Sequence, residues 1–321
     1  MQSDDFIIQG REFEALGLHE KAIEYFDMAI LAHPENLHTY NEKGINLAML
    51  KRFDEAMECY DKILSQNPGY SDAYVNKGNV FINLGKYNEA IEWLDKAILV
   101  DPHDFDAYKN KGIALQNLEK DDEAMECYER ALSIQPNSVA VNVNKGNILQ
   151  NLGMYEEAIE CYDKAILHCP DDYVLYDNKG IALGNLGCYN EAIECFNKAI
   201  SLTADCGDVY YNKGTALQKQ GIHDEALKCL QAALVLSPKD FLCFVSLSES
   251  FERSGKNEEA LNSLKRALSF LDLKQLRFCN YPENDVKREV MRLERKSVVE
   301  KRCPMEEAGL QLKITVKFPK F

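Results

Sequence analysis

A spacing of 34 residues recurs through most of this chain. A glycine returns at that interval seven times, at Gly10, Gly44, Gly78, Gly112, Gly146, Gly180 and Gly214. An alanine returns eight times, at Ala22, Ala56, Ala90, Ala124, Ala158, Ala192, Ala226 and Ala260. A strict period in this range marks stacked structural units. The sequence therefore predicts a solenoid, in which each unit contacts its neighbours, and excludes a single globular core.

Within each period the residue spacing predicts two helices. Tyr74, Gly78 and Phe81 are four and three residues apart, which places them on one face of a first helix. Ala158 and Tyr162 begin a similar stripe in a second helix, where small residues allow close helix packing. Since one hairpin cannot bury both its faces, the copies must stack. A further glycine column predicts the turns between the helices, at Gly17, Gly85, Gly153, Gly187, Gly221 and Gly255.

These motifs resemble those of the tetratricopeptide repeat family over about residues 3–274. The resemblance implies an all-α fold, a right-handed α-solenoid superhelix of eight helix-turn-helix repeats, which binds partner proteins mainly on its concave side. The repeats are predicted to start near residues 3, 37, 71, 105, 139, 173, 207 and 241. One departure is a lysine where the family usually has leucine, at Lys43, Lys77, Lys111, Lys145, Lys179 and Lys213.

The remaining residues, 275–321, form a basic C-terminal tail. Residues 271–321 carry 12 basic and 8 acidic side chains, a net charge of +4. The rest of the chain therefore has a net charge of −19, and the whole chain has −15. We expect a helix at about 284–303 that caps the last repeat. Residues 310–318 alternate apolar and polar, which indicates a strand. A lone strand needs a partner edge, so this segment is unstructured, folds back, or adds to another chain's sheet.

The first helices carry asparagines in register, and these are the predicted binding residues. Asparagine is a mediocre helix former, so helix propensity does not explain the columns. A carboxamide donates and accepts hydrogen bonds, so a row of them can hold the backbone of an extended peptide. The resemblance to peptide-binding repeats such as those of O-GlcNAc transferase implies that use, whereas simple duplication of a common family residue is the alternative. The set is Asn76, Asn79, Asn83, Asn110, Asn117, Asn144, Asn147, Asn151, Asn178, Asn185 and Asn212.

Two charged columns are interpreted as structural. The lysine stems are expected to pack between helices while their ammonium groups meet acids such as Asp61, Asp95 and Asp163. The alternative is a positive rail for acidic peptides. A glutamate column should stabilise the second helices through capping and the helix dipole, at Glu55, Glu89, Glu123, Glu157, Glu191 and Glu225. The family's carboxylate clamp for chaperone tails needs basic residues at positions where this chain has other types. The clamp is therefore absent, and we do not expect a receptor for chaperone tails. The residues at those positions are Asp72, Asp106, Ala140, Val174 and Asp208.

Other classes of function find no support in the sequence. The acidic repeats argue against nucleic acid, whose binding depends on neutralising phosphates. Eleven cysteines show no C-x-x-C pair and no histidine at ligand spacing, so we expect reduced structural thiols, no metal, no cofactor and a cytoplasmic location. No 18-residue apolar stretch occurs, and the segment MQSDDFIIQG has neither a basic region nor an apolar run, so we expect neither membrane insertion nor secretion. No catalytic motif occurs, so we expect no enzyme.

The sequence therefore predicts a non-catalytic adaptor or scaffold that binds segments of other proteins, with an extended peptide along the concave asparagine face. The alternative is a structural or assembly protein that acts through its ends, either through residues 310–318 or through self-association of the repeats.

Overall fold

The computed structural model describes residues 2–270 and 287–294, and this part of the chain consists of helices and turns. The helices follow one another in pairs. The first helices are α1 (Gln2–Ala15), α3 (Leu37–Met49), α5 (Ser71–Asn83), α7 (Phe105–Asn117), α9 (Val139–Asn151), α11 (Tyr173–Leu186), α13 (Gly207–Lys219) and α15 (Phe241–Arg253). The second helices are α2 (His19–Ala32), α4 (Phe53–Gln66), α6 (Tyr87–Val100), α8 (Asp121–Ile134), α10 (Tyr155–His168), α12 (Tyr189–Leu202), α14 (His223–Leu236) and α16 (Asn257–Phe270). A further helix, α17, covers residues 287–294.

The chain divides into two compact units, Met1–Cys169 and Pro170–Phe321. The first unit contains α1 to α10, and its core is a series of small clusters between successive hairpins rather than one centre. Tyr60, for example, is fully buried with residues of α3 and α5. The second unit contains α11 to α17, with a core around Leu230 and Phe244. This distribution is what stacked hairpins produce.

Side-chain caps set the starts of most first helices. The carboxylate of Asp104 accepts a hydrogen bond from the Ala107 N–H at 2.9 Å, and Asp172 accepts one from Val174 at 3.0 Å. The first N–H groups of a helix have no partner within the helix, so a short polar side chain just before it stabilises that end. These caps explain why the repeats begin at closely similar positions.

Left-handed residues end most of the first helices. Gly85 has φ +71°, its N–H donates to the Ile82 carbonyl, and the N–H of Lys86 donates to the Phe81 carbonyl at 2.9 Å. This is the Schellman arrangement, which favours glycine because a Cβ is strained at positive φ. All six predicted turn glycines have positive φ, as expected. At the same position Lys51 and Glu119 adopt φ +61° and +58° without being glycine.

The other glycine column marks where the two helices of a hairpin meet. A Cβ built on Gly146 would lie 2.8 Å from Cε1 of Tyr162, and one on Gly78 would lie 2.7 Å from Cγ of Leu94. Real Cβ contacts are longer, so glycine is needed for the fully buried partner of the second helix to fit. The prediction that this column is a close-packing site is confirmed.

Helix α17 covers the end of the last hairpin. Leu293 is buried in the same cluster as Leu264, and Val290 packs against that cluster. Lys265 Nζ lies 2.9 Å from Glu294 Oε1. Residues 287–294 thus act as the expected cap. The rest of the predicted helix, 284–286 and 295–303, and the predicted strand 310–318 lie outside the described residues.

Candidate binding groove

Two neighbouring depressions follow the first helices of the first unit. The first depression has a volume of about 280 Å³, and the second has about 520 Å³. Ile113 borders both, so they form one groove, which we name the repeat 2–5 groove. The first is lined by Ile45, Ala48, Met49, Tyr60, Asn76, Asn79, Val80, Ile82, Asn83, Asn110 and Ile113. The second is lined by Ile113, Gln116, Asn117, Glu119, Asp121, Asn144 and Asn151.

The groove contains seven of the eleven predicted asparagines, and the others lie elsewhere. Asn147 accepts a hydrogen bond from the Tyr162 hydroxyl at 2.8 Å. Three belong to the second unit. Asn178 is half-buried and Asn185 is exposed. Asn212 lines a separate depression of about 630 Å³ beside Pro238.

Two of the asparagines just before the lysine column are bonded to another repeat. Asn76 Nδ2 donates to Asn41 Oδ1 at 2.8 Å, and Asn212 Nδ2 donates to Asp177 Oδ1 at 3.0 Å. In each case the acceptor stands 35 residues earlier, so the contact depends on which side chain the preceding repeat supplies. These amides hold neighbouring repeats together.

Asn110 occupies the same column but lacks that contact. Thirty-five residues before it stands Val75, which is buried and has no hydrogen-bonding side chain. Asn110 is only 7% exposed, and within the described residues its amide has no hydrogen-bond partner. It lines the first depression. Its amide atoms are not among the buried unsatisfied ones, so they still reach solvent, and their donor and acceptor capacity is available to a ligand.

Buried tyrosines fix other polar groups of the groove. The Tyr128 hydroxyl donates to Gln116 Oε1 at 2.9 Å, and Asn144 is also hydrogen-bonded to Tyr128. Burial raises the pKa of Tyr128 and of Tyr162 above the ordinary range, so both phenols stay protonated and keep donating at neutral pH. The orientations of Gln116 and Asn147 are therefore set by the hairpins that carry them.

Several groove residues were missed by the sequence reasoning. Ile45, Met49 and Ile82 stand in repeats 2 and 3 at the offsets where other repeats carry asparagine or glutamine. Glu119 and Asp121 come from the turn and first residue of the next helix. Applying the asparagine offsets to every repeat would have found Ile45 and Met49, and the glutamine offset of Gln116 would have found Ile82, because the offset and not the residue type determines the position.

The lysine column has the structural role that was predicted. Lys43 pairs with Asp27 at 2.6 Å, and Lys145 pairs with Glu129 at 3.0 Å. Lys77, whose side chain is 4% exposed, reaches Asp61 at 2.5 Å and lies 3.8 Å from the centre of the Trp93 ring. These ammonium groups link α2 to α3, α4 to α5 and α8 to α9. In the pair between α16 and α17 the charges are exchanged, because the second helix α16 supplies the lysine, Lys265, and α17 supplies the acid, Glu294.

The glutamate column was partly misinterpreted. Glu55 and Glu123 lie in the first turns of α4 and α8, where a negative charge favours the helix dipole. A capping box would require the N–H of Arg52 or Lys120, but these N–H groups donate to the Leu47 and Leu115 carbonyls. The turn already satisfies them, so capping by these glutamates is wrong and the dipole effect remains.

No disulfide bond joins the cysteines of the described residues. Cys59, Cys127 and Cys161 of the predicted column are buried, whereas Cys195 and Cys229 are partly exposed. Burial raises the pKa of Cys59 to about 11 and that of Cys243 to about 12, so these thiols are protonated at neutral pH. Among the residues described, no group of three or more potential ligands is placed to hold a metal ion.

Comparison with protein families is decisive. Family models of the tetratricopeptide repeat match residues 9–71, 47–111, 105–138, 141–172, 185–221 and 207–240. Together these matches cover more than half of the chain. The chain belongs to the tetratricopeptide repeat family. Its fold is an all-α tetratricopeptide repeat solenoid, and proteins with this fold generally mediate protein–protein interaction and scaffolding. They are typically non-catalytic adaptors.

Solved structures share the fold at low sequence identity. The Cut9–Hcn1 hetero-tetramer of the APC/C matches 86% of this chain at 17% identity with a TM-score of 0.59, and this chain spans about half, 52%, of that one. YrrB, described as a tetratricopeptide repeat protein with an unusual peptide-binding site, matches 58% of this chain at 23% identity with a TM-score of 0.54. The match covers 96% of the YrrB chain.

A third structure is pilF of Pseudomonas aeruginosa, which matches 69% of this chain at 21% identity with a TM-score of 0.56. The match covers 96% of the pilF chain. A search of the curated proteins finds no match. Across the described residues, no helix combines the length and apolar character needed to cross a membrane.

Proposed function

We propose that this protein is an adaptor that holds an extended segment of a partner protein in the repeat 2–5 groove. The observation that carries the proposal is Asn110, a largely buried residue of the first depression whose amide has no hydrogen-bond partner among the described residues. A peptide backbone supplies a carbonyl and an N–H, which match the amide.

The surrounding asparagines extend this contact along the groove. Asn79 and Asn83 lie on the first depression, and Asn117 and Asn151 lie on the second. Asn76 lines the groove as well, but its bond to Asn41 occupies one of the two N–H groups of its amide. A peptide-binding site is described for YrrB, which has the same fold. We assign Asn178, Asn185 and Asn212 no contact with this segment, since they belong to the second unit.

A cytoplasmic location and binding without catalysis are part of the same proposal. The nine described cysteines form no disulfide bond, and several of them are buried and protonated, which suits a reducing compartment such as the cytoplasm. The groove contains amides, apolar walls and two carboxylates rather than a nucleophile paired with a base, which suits binding without catalysis. Assembly through residues 310–318 is the alternative, and those residues lie outside the described part.

The test is a peptide-library screen on the full chain, with Asn110→Ala and Asn185→Ala compared with the native protein. Asn185 is an exposed asparagine of the same type in the second unit, so Asn185→Ala is the matched control. Circular dichroism should first show equal helicity. We expect peptides that bind the native protein and Asn185→Ala but lose about tenfold affinity for Asn110→Ala. The absence of binding, or equal binding by all three, would contradict the proposal.

A further inference from the structure

The groove changes character along its length. In repeats 2 and 3 the first depression has apolar walls, among them Met49, which is 63% exposed, and Ile82. Met49 corresponds to Asn83, Asn117 and Asn151 of the following repeats, and Ile82 corresponds to Gln116 and Gln150. The apolar walls are thus substitutions at positions that are polar elsewhere. An exposed apolar side chain at a groove position is more informative than one on an open surface.

The size of the first depression indicates what it accepts. Its volume of about 280 Å³ is below the ~300–1,000 Å³ typical of small-molecule sites. It is open to the groove, and the unpartnered amide of Asn110 lies on its lining. A peptide whose backbone is bonded to Asn110 would place a neighbouring side chain there. A bulky aliphatic or aromatic side chain would cover Met49 and Ile82 and remove them from water.

The second depression has the opposite character. Glu119 and Asp121 line it, and neither carboxylate forms an ion pair within the described residues. The adjacent Glu123, which does not line it, is 3.4 Å from Lys120 Nζ. The polar lining includes Asn117, Asn144 and Asn151, which add no positive charge. A cationic side chain is therefore the complementary occupant of this depression.

We propose that the bound segment is an extended peptide with a bulky apolar residue seated in the first depression and a lysine or arginine seated in the second. This inference rests on the proposed function, because it names the chemistry of the segment that the groove holds. Asn110 lines the first depression, which shares Ile113 with the second, and binds the backbone between the two side chains. The apolar residue supplies most of the affinity, and the basic residue selects among apolar peptides.

The experiment uses short synthetic peptides with blocked ends, binding to the full chain by fluorescence anisotropy. One position is varied among leucine, phenylalanine and serine, and a neighbouring position among arginine, glutamine and glutamate. Each spacing between the two positions is included. We expect apolar–basic peptides to bind about tenfold more tightly than their serine counterparts. Arginine should exceed glutamine by about two- to fivefold, and this difference should shrink as salt is added.

Matched variants assign each preference to its depression. Met49→Asn installs the residue that the next repeats carry and should remove most of the apolar preference, whereas Leu99→Asn, at a residue 82% exposed that does not line the groove, should not. The double variant Glu119→Gln with Asp121→Asn should remove the arginine preference. Asp122→Asn with Glu123→Gln, on the same helix but outside the lining, should retain it.

The outcomes separate this inference from the proposed function. Peptides that bind in an Asn110-dependent way, but without preference for apolar and basic side chains, would overturn the inference alone. Preferences that survive Met49→Asn and the Glu119, Asp121 double variant would also overturn it. If no peptide binds, or if binding does not depend on Asn110, both proposals are wrong.

Discussion

Repeats 3 and 4, residues 71–104 and 105–138, have the same design but differ at two positions. In repeat 3, Asn76 is bonded to Asn41, and Gly85 forms the turn. In repeat 4, the equivalent Asn110 has no partner among the described residues, and Glu119 takes the left-handed turn position at φ +58°. The first difference leaves the amide of Asn110 available to a ligand, and the second gives repeat 4 a left-handed strain that repeat 3 avoids.

The difference teaches where to look for function in a repeated chain. Both irregular groups of repeat 4 line the groove, Asn110 on the first depression and Glu119 on the second. Local rules are broken most often where binding requires it. The columns that hold the hairpins together are satisfied in repeat 3 and repeat 4 alike, for example the pairs of Lys77 and Lys111 with acids.

The first prediction tests whether the two helices of a hairpin are closely packed at the glycine column. Gly146→Leu should lower the free energy of unfolding by about 1–3 kcal/mol, because even its Cβ would lie 2.8 Å from Tyr162. Thermal and urea unfolding measure this. Gly184→Ala is the control, since a Cβ there meets nothing within 4 Å. It should be neutral or stabilising, as alanine favours helices. An unchanged melting temperature for Gly146→Leu would undermine the comparison.

The second prediction changes the left-handed turn residue in each of the two repeats. Glu119→Gly should raise the free energy of unfolding by up to about 1 kcal/mol, because it removes left-handed strain. Gly85→Ala should lower it by about 1 kcal/mol or more for the converse reason. Melting temperatures of both variants report the sign. Shifts in the same direction would mean that the turns do not distinguish repeat 3 from repeat 4.

The third prediction concerns the other bonded asparagine. Burial raises the pKa of Asp177, and the hydrogen bond from Asn212 only partly opposes this. Because the folded state favours the protonated acid, the stability contributed by Asp177 is greatest below its ordinary pKa of 3.8 and falls as the pH rises through the raised value. Asp177→Asn, which matches Asn41, keeps an acceptor without charge. It should therefore raise the melting temperature at neutral pH.

The control for that prediction is the pH dependence itself. The advantage of Asp177→Asn over the native protein should shrink as the pH falls towards 4, where the native carboxyl becomes protonated. An advantage that is constant or that grows on acidification would show that the Asp177 carboxylate is not strained by burial.

Much of the fold could be predicted from the 34-residue period and from the positions of residues within it. Gly146 and Gly85 could be assigned to packing and turn because each role follows from local geometry that repeats with the chain. The lysine pairs were predictable for the same reason. The capping role of Glu55 was not, because the backbone of the turn had already satisfied the N–H of Arg52.

The groove could be placed only in part. Its asparagines were visible as a column, but the sequence treated Asn76 and Asn110 alike. What separates them is the residue 35 positions earlier, Asn41 or Val75, and that contact crosses from one repeat to the next. Met49 and Glu119 were missed because they depart from the column types at their positions.

The most direct test of this account compares Asn76→Ala with Asn110→Ala in unfolding and in peptide binding. Asn76→Ala should lower the free energy of unfolding by about 1 kcal/mol, because it leaves the buried Asn41 without its partner. Asn110→Ala should leave stability nearly unchanged and lower peptide affinity about tenfold. If both variants lose stability equally and neither changes peptide binding, Asn110 is a structural residue and the central claim is wrong.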